Sequence, residues 1–184
     1  MAFLKKKISA HDLGNVIYSN IRHEVMSEDS PLFHANLIEK LEENADRLPP
    51  IYILELLIGS LFGAMLYIET KYKYPKYVLI IDSMKEAFLL HAKSIMESIG
   101  LTNDQLYSLI LKRLQEYQGC LSNRSGAGPS WHLGKAYYWN ILGREREEPK
   151  GPMVASFYIF KFADLTEIVM KDYVVYEEKN NKHQ

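Results

Sequence analysis

Across residues 51–68 the chain carries a single charged residue, Glu55, in eighteen positions. Nothing else in the sequence restricts the fold so strongly. A run of this length comes close to spanning a hydrocarbon core, which takes about 17 to 25 residues, so it is either a membrane helix or the centre of a helical protein. Three features favour the second. Glu55 stands one turn in from the start, where a carboxylate suits the helix dipole and is partly wetted; the run is at the short end of the spanning range; and no other segment resembles it. A helix apolar on every side is buried by other helices. Gly59 and Gly63, spaced i, i+4, let a neighbouring helix approach closely. A soluble helical core with no stable membrane insertion is therefore expected.

The prolines say where the surrounding helices begin and end. Pro31, Pro49, Pro50, Pro75, Pro129, Pro149 and Pro152 all fall at the edges of long periodic segments, where proline is tolerated in a first turn and would break an interior. Helices are expected over 10–26 with Ser9 as N-cap, 31–47 with Ser30 as N-cap, 50–72, and 75–98 closed by a left-handed Gly100. Three more follow: one from the cap Thr102 to about 121, one over 130–142 with Gly143 behind it, and one over 152–175. Apolar residues recur at three and four where this can be tested, as in Tyr77, Ile81, Met84, Phe88, His91, Ile95 and Ile99. The short runs 77–81 and 154–160 are long enough for buried strands, but both continue into helical periodicity. The expected fold is all-α: a compact single-domain bundle of six or seven helices with mixed crossing angles over 1–176, followed by a polar tail, 177–184.

Composition excludes more than it selects. With 184 residues the chain can build its own core. Lys plus Arg at 22 against Asp plus Glu at 23 leaves no global field for nucleic acid or acidic membranes. Lys5, Lys6 and Lys7 are followed by Ile8, Ser9, Ala10, His11 and Asp12 rather than by an apolar run, so no signal peptide is expected. The lone Cys120 closes no internal disulfide, which fits a cytoplasmic setting.

No catalytic or metal-binding motif stands out. The histidines His11, His23, His34, His91, His132 and His183 include no pair at i, i+4, and no nucleophile elbow or Walker loop is present. No catalytic residue, metal or cofactor is assigned. His91 lies on an apolar stripe, and Leu89, Leu90, His91, Ala92, Lys93 is similar to the proximal-histidine helix of globins; that resemblance implies a haem ligand at His91, with Phe62 where a distal histidine would stand. A neutral histidine held by a hydrogen-bond partner is the other reading.

Residues 87–115 resemble a helix-turn-helix. Ile95, Ile99, Leu101, Leu106 and Leu109 flank Gly100, and the second helix would offer Asn103, Asp104, Gln105, Tyr107, Ser108, Lys112 and Arg113 to DNA. Met96 stands where a small residue would let the helices cross, and any packed helical hairpin has the same anchors. The run Lys71, Tyr72, Lys73, Tyr74, Pro75, Lys76, Tyr77 alternates cations with aromatics. It can stack bases or sit at a membrane surface, or simply complement a helix C-terminus.

The flexible stretch 122–135 feeds a helix N-terminus, where free N–H groups attract anions. Arg124, Ser125, Gly126, Gly128, Ser130, His132 and Lys135 are the candidate ligands for a small anion there, against the alternative of a plain interhelical loop. Tyr137, Tyr138 and Trp139 in succession cannot all face one way on a helix, so with Trp131 they are the candidate interaction surface. The leading expectation is a non-enzymatic protein working through protein contacts as a homo-oligomer or regulatory adaptor. A DNA-binding regulator and an anion-binding sensor or enzyme are the alternatives.

Overall fold

The structure, a computed structural model, describes residues 5–27, 41, 48–145 and 149–176. In chain order it contains β1 (Lys6–Ile8), α1 (Ala10–Met26), α2 (Tyr52–Lys71), α3 (Lys76–Ile99), α4 (Asn103–Ser122), α5 (Pro129–Leu142), α6 (Lys150–Lys171) and β2 (Tyr173–Val175). The local signals act as expected. The Ser9 hydroxyl accepts from the Asp12 amide at 2.9 Å to open α1, and Thr102 and Gln105 form a reciprocal capping box at the start of α4. Gly100 and Gly143 close α3 and α5 with φ of 72° and 67°, a left-handed geometry that a side chain would strain.

The apolar segment is the axis of the bundle. Every residue over 54–64 is buried, and three turns of continuous burial leave α2 no wet face there. By length and composition α2 is able to cross a membrane, but most of it is covered by other helices of the same chain. Helices α1, α3, α4, α5 and α6 all pack on it. Around this ring α1 pairs most extensively with α3, and α5 with α6, while α3 meets α4 and α1 meets α6 only weakly. The result is an all-α single domain with two tightly paired sides sharing one central helix.

The two glycines of α2 serve different neighbours. A Cβ on Gly59 would enter the ring of Tyr137 on α5, and one on Gly63 would strike the Ile159 carbonyl oxygen on α6. Backbone approach this close explains why α6 is the most extensive partner of α2.

Two details differ from the expected helices. The last helix ends at Lys171, and residues 173–175, expected as its final turn, form β2, which pairs in parallel with β1: Lys6 with Tyr173, Lys7 with Val174 and Ile8 with Val175. The β-branched Val174 and Val175 suit a strand, and the pairing ties together the weakly packed α1 and α6 at the ends of the chain. The helix expected over 31–47 lies outside the described residues, apart from Leu41, which is helical and fully buried. The tail 177–184 also lies outside them.

Candidate functional site

Among the described residues the most elaborate polar site is internal. Glu55 is buried, so its carboxylate must be paired. Arg113 of α4 grips it with one edge of its guanidinium: Nε lies 2.9 and 3.0 Å from Oε1 and Oε2, and Nη2 2.7 Å from Oε1. The remaining Nη1 reaches Glu116 at 3.3 Å, and the Asn140 amide of α5 donates to the same Glu116 oxygen at 2.9 Å. Tyr137 donates to the Leu56 carbonyl at 3.2 Å. Side chains of α2, α4 and α5 thus meet in one network at the N-terminal end of the central helix.

Electrostatics decide what this network is. Burial raises the Glu55 carboxyl above its ordinary value, against the hydrogen bonds and charge of Arg113. At Arg113 burial opposes the charge, but the Glu55 carboxylate outweighs it and raises the guanidinium pKa. A guanidinium fork on both carboxylate oxygens needs both groups ionised, so the pair stands as a salt bridge. Glu55 has only 1% of its side chain accessible and Arg113 14%, which leaves no approach for a substrate. The cluster is a tie between helices rather than a reaction centre. Glu55, expected partly wetted, is dry because α4 crosses over it.

This tie alters the helix-turn-helix reading. Arg113, one of the two cations assigned to DNA, is turned inward, and the outer face of α4 presents Asp104, Tyr107, Ser108, Leu111, Lys112 and Gln115. Lys112 is the one cation on that face, too little to hold a phosphate backbone.

His91 has a partner as well. Its Nδ1 lies 2.8 Å from the Tyr18 hydroxyl, joining α3 to α1. Burial pushes the Tyr18 phenol well up, so the hydroxyl keeps its proton. Burial, and then the charge of Arg22, lowers the pKa of His91. This is the hydrogen-bonded neutral histidine of the second reading. Phe62, at the position corresponding to a globin distal histidine, packs its ring 5.5 Å from that of Tyr117.

The stretch 122–135 is held by its own polar groups. Asn123 Oδ1 accepts from both the amide and the hydroxyl of Ser125, at 3.0 and 2.7 Å, and His132 Nε2 lies 2.9 Å from the Ser125 carbonyl oxygen. Gly126 and Gly128 have φ of 56° and 92°, and Gly128 stands at the N-cap of α5. Arg124, Ser125, Gly126 and Ser130 are exposed, while Gly128, His132 and Lys135 are half-buried. Lys135 lies over the Trp139 ring, Nζ 4.3 Å from its centroid, a cation–π contact along the helix.

The expected aromatic surface has to be corrected. Tyr137 and Tyr138 are fully buried; α5 packs against α2, α4 and α6 together, so more than one of its faces is inward. Only Trp131 and Trp139 of the four are partly exposed. The large exposed apolar residues lie elsewhere, and on α6 they form a series of Met153, Phe157 and Ile168.

An open cleft of about 830 Å³ occurs at the other end of the bundle, where Ala10 and His11 meet Pro75, Lys76 and Leu79, together with Val175 and Tyr176. Asp82 and Glu86, both exposed, line its α3 wall. Among the described residues no group of His, Cys, Asp and Glu is able to hold a metal ion. Cys120 is half-buried, and burial and then the charge of Glu116 raise its thiol pKa, the opposite of an activated nucleophile. Compared with protein-family models, curated proteins and solved structures, the chain matches none.

Proposed function

We propose that this protein works through protein contacts, as a non-enzymatic homodimer that pairs through the outer face of α6. The observation that supports this reading is the pattern of exposure along that helix. Met153, Phe157, Lys161, Asp164 and Ile168 all face outward, at successive spacings of four, four, three and four. This is the spacing of a helix–helix seam, and Phe157 and Ile168 are 63% and 61% exposed.

The stripe is self-complementary. Two copies of α6 laid antiparallel about a twofold axis between residues 161 and 164 would set Phe157 of each against Ile168 of the other. The same operation would place Lys161 against Asp164, so an isologous contact satisfies the apolar and the charged residues together. The ionic centre also fixes register and direction, since a shifted or parallel pair would separate the charges.

Size-exclusion chromatography with light scattering tests the proposal. The expected result is a dimer at micromolar concentration and a monomer for Phe157→Lys. Lys161→Asp is expected to weaken the dimer at least tenfold through like-charge contact, and Lys161→Asp with Asp164→Lys to restore it. A strict monomer at millimolar concentration, or a dimer indifferent to these changes, overturns the reading.

A further inference from the structure

From the charge at the cleft end of the bundle, we infer that this end docks on the surface of an anionic lipid bilayer. Three segments far apart in sequence converge there. The β1–β2 ladder places Lys6 beside Tyr173 and Lys7 beside Val174, with the Lys6 amide bonded to the Asp172 carbonyl at 2.9 Å. Tyr67, one turn before Lys71, lies within electrostatic reach of Glu167 and Lys171. Pro75, Lys76 and Leu79 share the cleft with Val175 and Tyr176.

The joint between α2 and α3 is thereby brought beside the paired chain ends. Lys5, Lys6, Lys7, Lys71, Lys73 and Lys171 are exposed at this end, and Lys76 is half-buried. Opposing these seven lysines are the carboxylates of Asp12, Glu69, Glu167 and Asp172, of which Asp12 is hydrogen-bonded to Ser9 and Glu167 is paired with Lys171. Among the described residues that is an excess of three positive charges around the strand pair and the α2–α3 joint, which the exposed Asp82 and Glu86 on the adjoining α3 wall of the cleft reduce to one, in a chain whose net charge is −1. The next residues in sequence, Glu177, Glu178, Lys179 and Lys182, balance one another.

Two features favour lipid over nucleic acid. Among the described residues the cations here are all lysines, and Arg22, Arg113, Arg124 and Arg144 lie elsewhere, whereas base and phosphate recognition draws on the arginine fork. The residues between the lysines are amphipathic or aliphatic: Tyr74 at 77% exposure, Leu79, Val174 and Tyr176. Tyrosine with lysine is the pairing that suits a headgroup layer, the ring at the interface and the ammonium against lipid phosphate. Asp82 and Glu86 lie about 9 and 15 Å along α3 from Lys76, so the α3 wall of the cleft repels an anionic headgroup. Contact is therefore through the lysines of the strand pair and of the α2–α3 joint.

The inference is independent of the α6 dimer, and its test leaves that stripe untouched. Co-sedimentation with phosphatidylcholine vesicles, and with vesicles containing 30% phosphatidylserine, is the measurement. Binding is expected only to the anionic vesicles, falling steeply with added salt. Each lysine removed is expected to weaken it about fivefold, so Lys6→Gln, Lys7→Gln, Lys71→Gln and Lys73→Gln together should reduce affinity at least a hundredfold. Lys71→Gln with Lys73→Gln lies outside the strand pair, should leave the thermal midpoint unchanged, and should still cost about twentyfold. Equal binding to neutral vesicles, no binding to anionic ones, or no effect of the lysine changes overturns the inference. Tighter, lysine-dependent binding to a single-stranded oligonucleotide than to the vesicles also overturns it, in favour of nucleic acid.

Discussion

Two of the polar contacts between helices of this bundle solve the same problem in opposite ways. Arg113 and Glu55 join α4 to α2 as full charges in a dry setting, while Tyr18 and His91 join α1 to α3 as a neutral pair at the edge of the core. Each spans a junction between helices distant in sequence. They differ in whether an opposite charge stands against burial. Burial raises the acid, Glu55, and lowers the base, His91. In both cases it favours the uncharged form, and only Glu55 has an opposite charge gripping it. The ionic tie is therefore the one whose two halves depend on each other.

Removing half of that tie should produce the largest effect. Arg113→Met leaves a carboxylate in the core without its counter-charge and is expected to destabilise the protein by about 3–5 kcal/mol at neutral pH. The sign of its pH dependence follows. Without Arg113 the folded-state pKa of Glu55 lies still further above the unfolded value of about 4.3. Stability is then fully present below that value and lost as pH rises through the folded pKa, so the variant should recover on acidification. Urea denaturation at a series of pH values measures both. A loss that is independent of pH would mean that the Arg113 stem, not its charge, carries the effect.

Removing both halves sharpens the comparison. Glu55→Met with Arg113→Met is expected to recover at least half of what Arg113→Met alone loses, because matched apolar groups fill the space without a desolvated charge. Glu116 and Asn140 keep their own hydrogen bond in that variant. A double variant as unstable as the single one would show that the salt bridge is itself a net source of stability.

How much of this could be read from the sequence depends on the distance over which each signal acts. Caps and stops are local: Ser9, Thr102, Gly100 and Gly143 act within a turn, and all four mark real helix ends. The centrality of α2 was equally visible, since a run with one charged residue has few other places to go. The partner of Glu55 was not, because Arg113 lies 58 positions away on a helix whose polar residues look alike in sequence.

The burial of Tyr137 and Tyr138 is hidden in the sequence for a related reason. Adjacent helical residues are about a hundred degrees apart, but a helix covered by three neighbours buries both, and the number of neighbours is not written in one helix. β1 and β2 are not legible in the sequence because three-residue strands have no measurable period, and their pairing joins residues 6–8 to residues 173–175. Of the candidate sites, the segment around His132 proved to be held by its own hydrogen bonds. The lysine-rich end becomes apparent only when residues 5–7, 71–76 and 171 are brought together.

The neutral tie yields the smaller effects. Tyr18→Phe removes one hydrogen bond at the edge of the core and should cost about 0.5–1.5 kcal/mol, well below the loss at Arg113. The pH dependence of the His91 contribution has the opposite sign to that of Arg113→Met. The folded-state pKa of His91 lies below the unfolded value of about 6.5. Its contribution is therefore present above that value and is lost as pH falls through the folded pKa, when the imidazolium must form in partial burial beside Arg22. Wild-type stability measured from pH 8 to 5 should decline more than that of His91→Gln, and the difference should open near pH 6.5. If the two curves stay parallel, His91 is no more hindered from taking a proton in the folded protein than in the unfolded chain, and the contrast between the two ties reduces to charge against hydrogen bond alone.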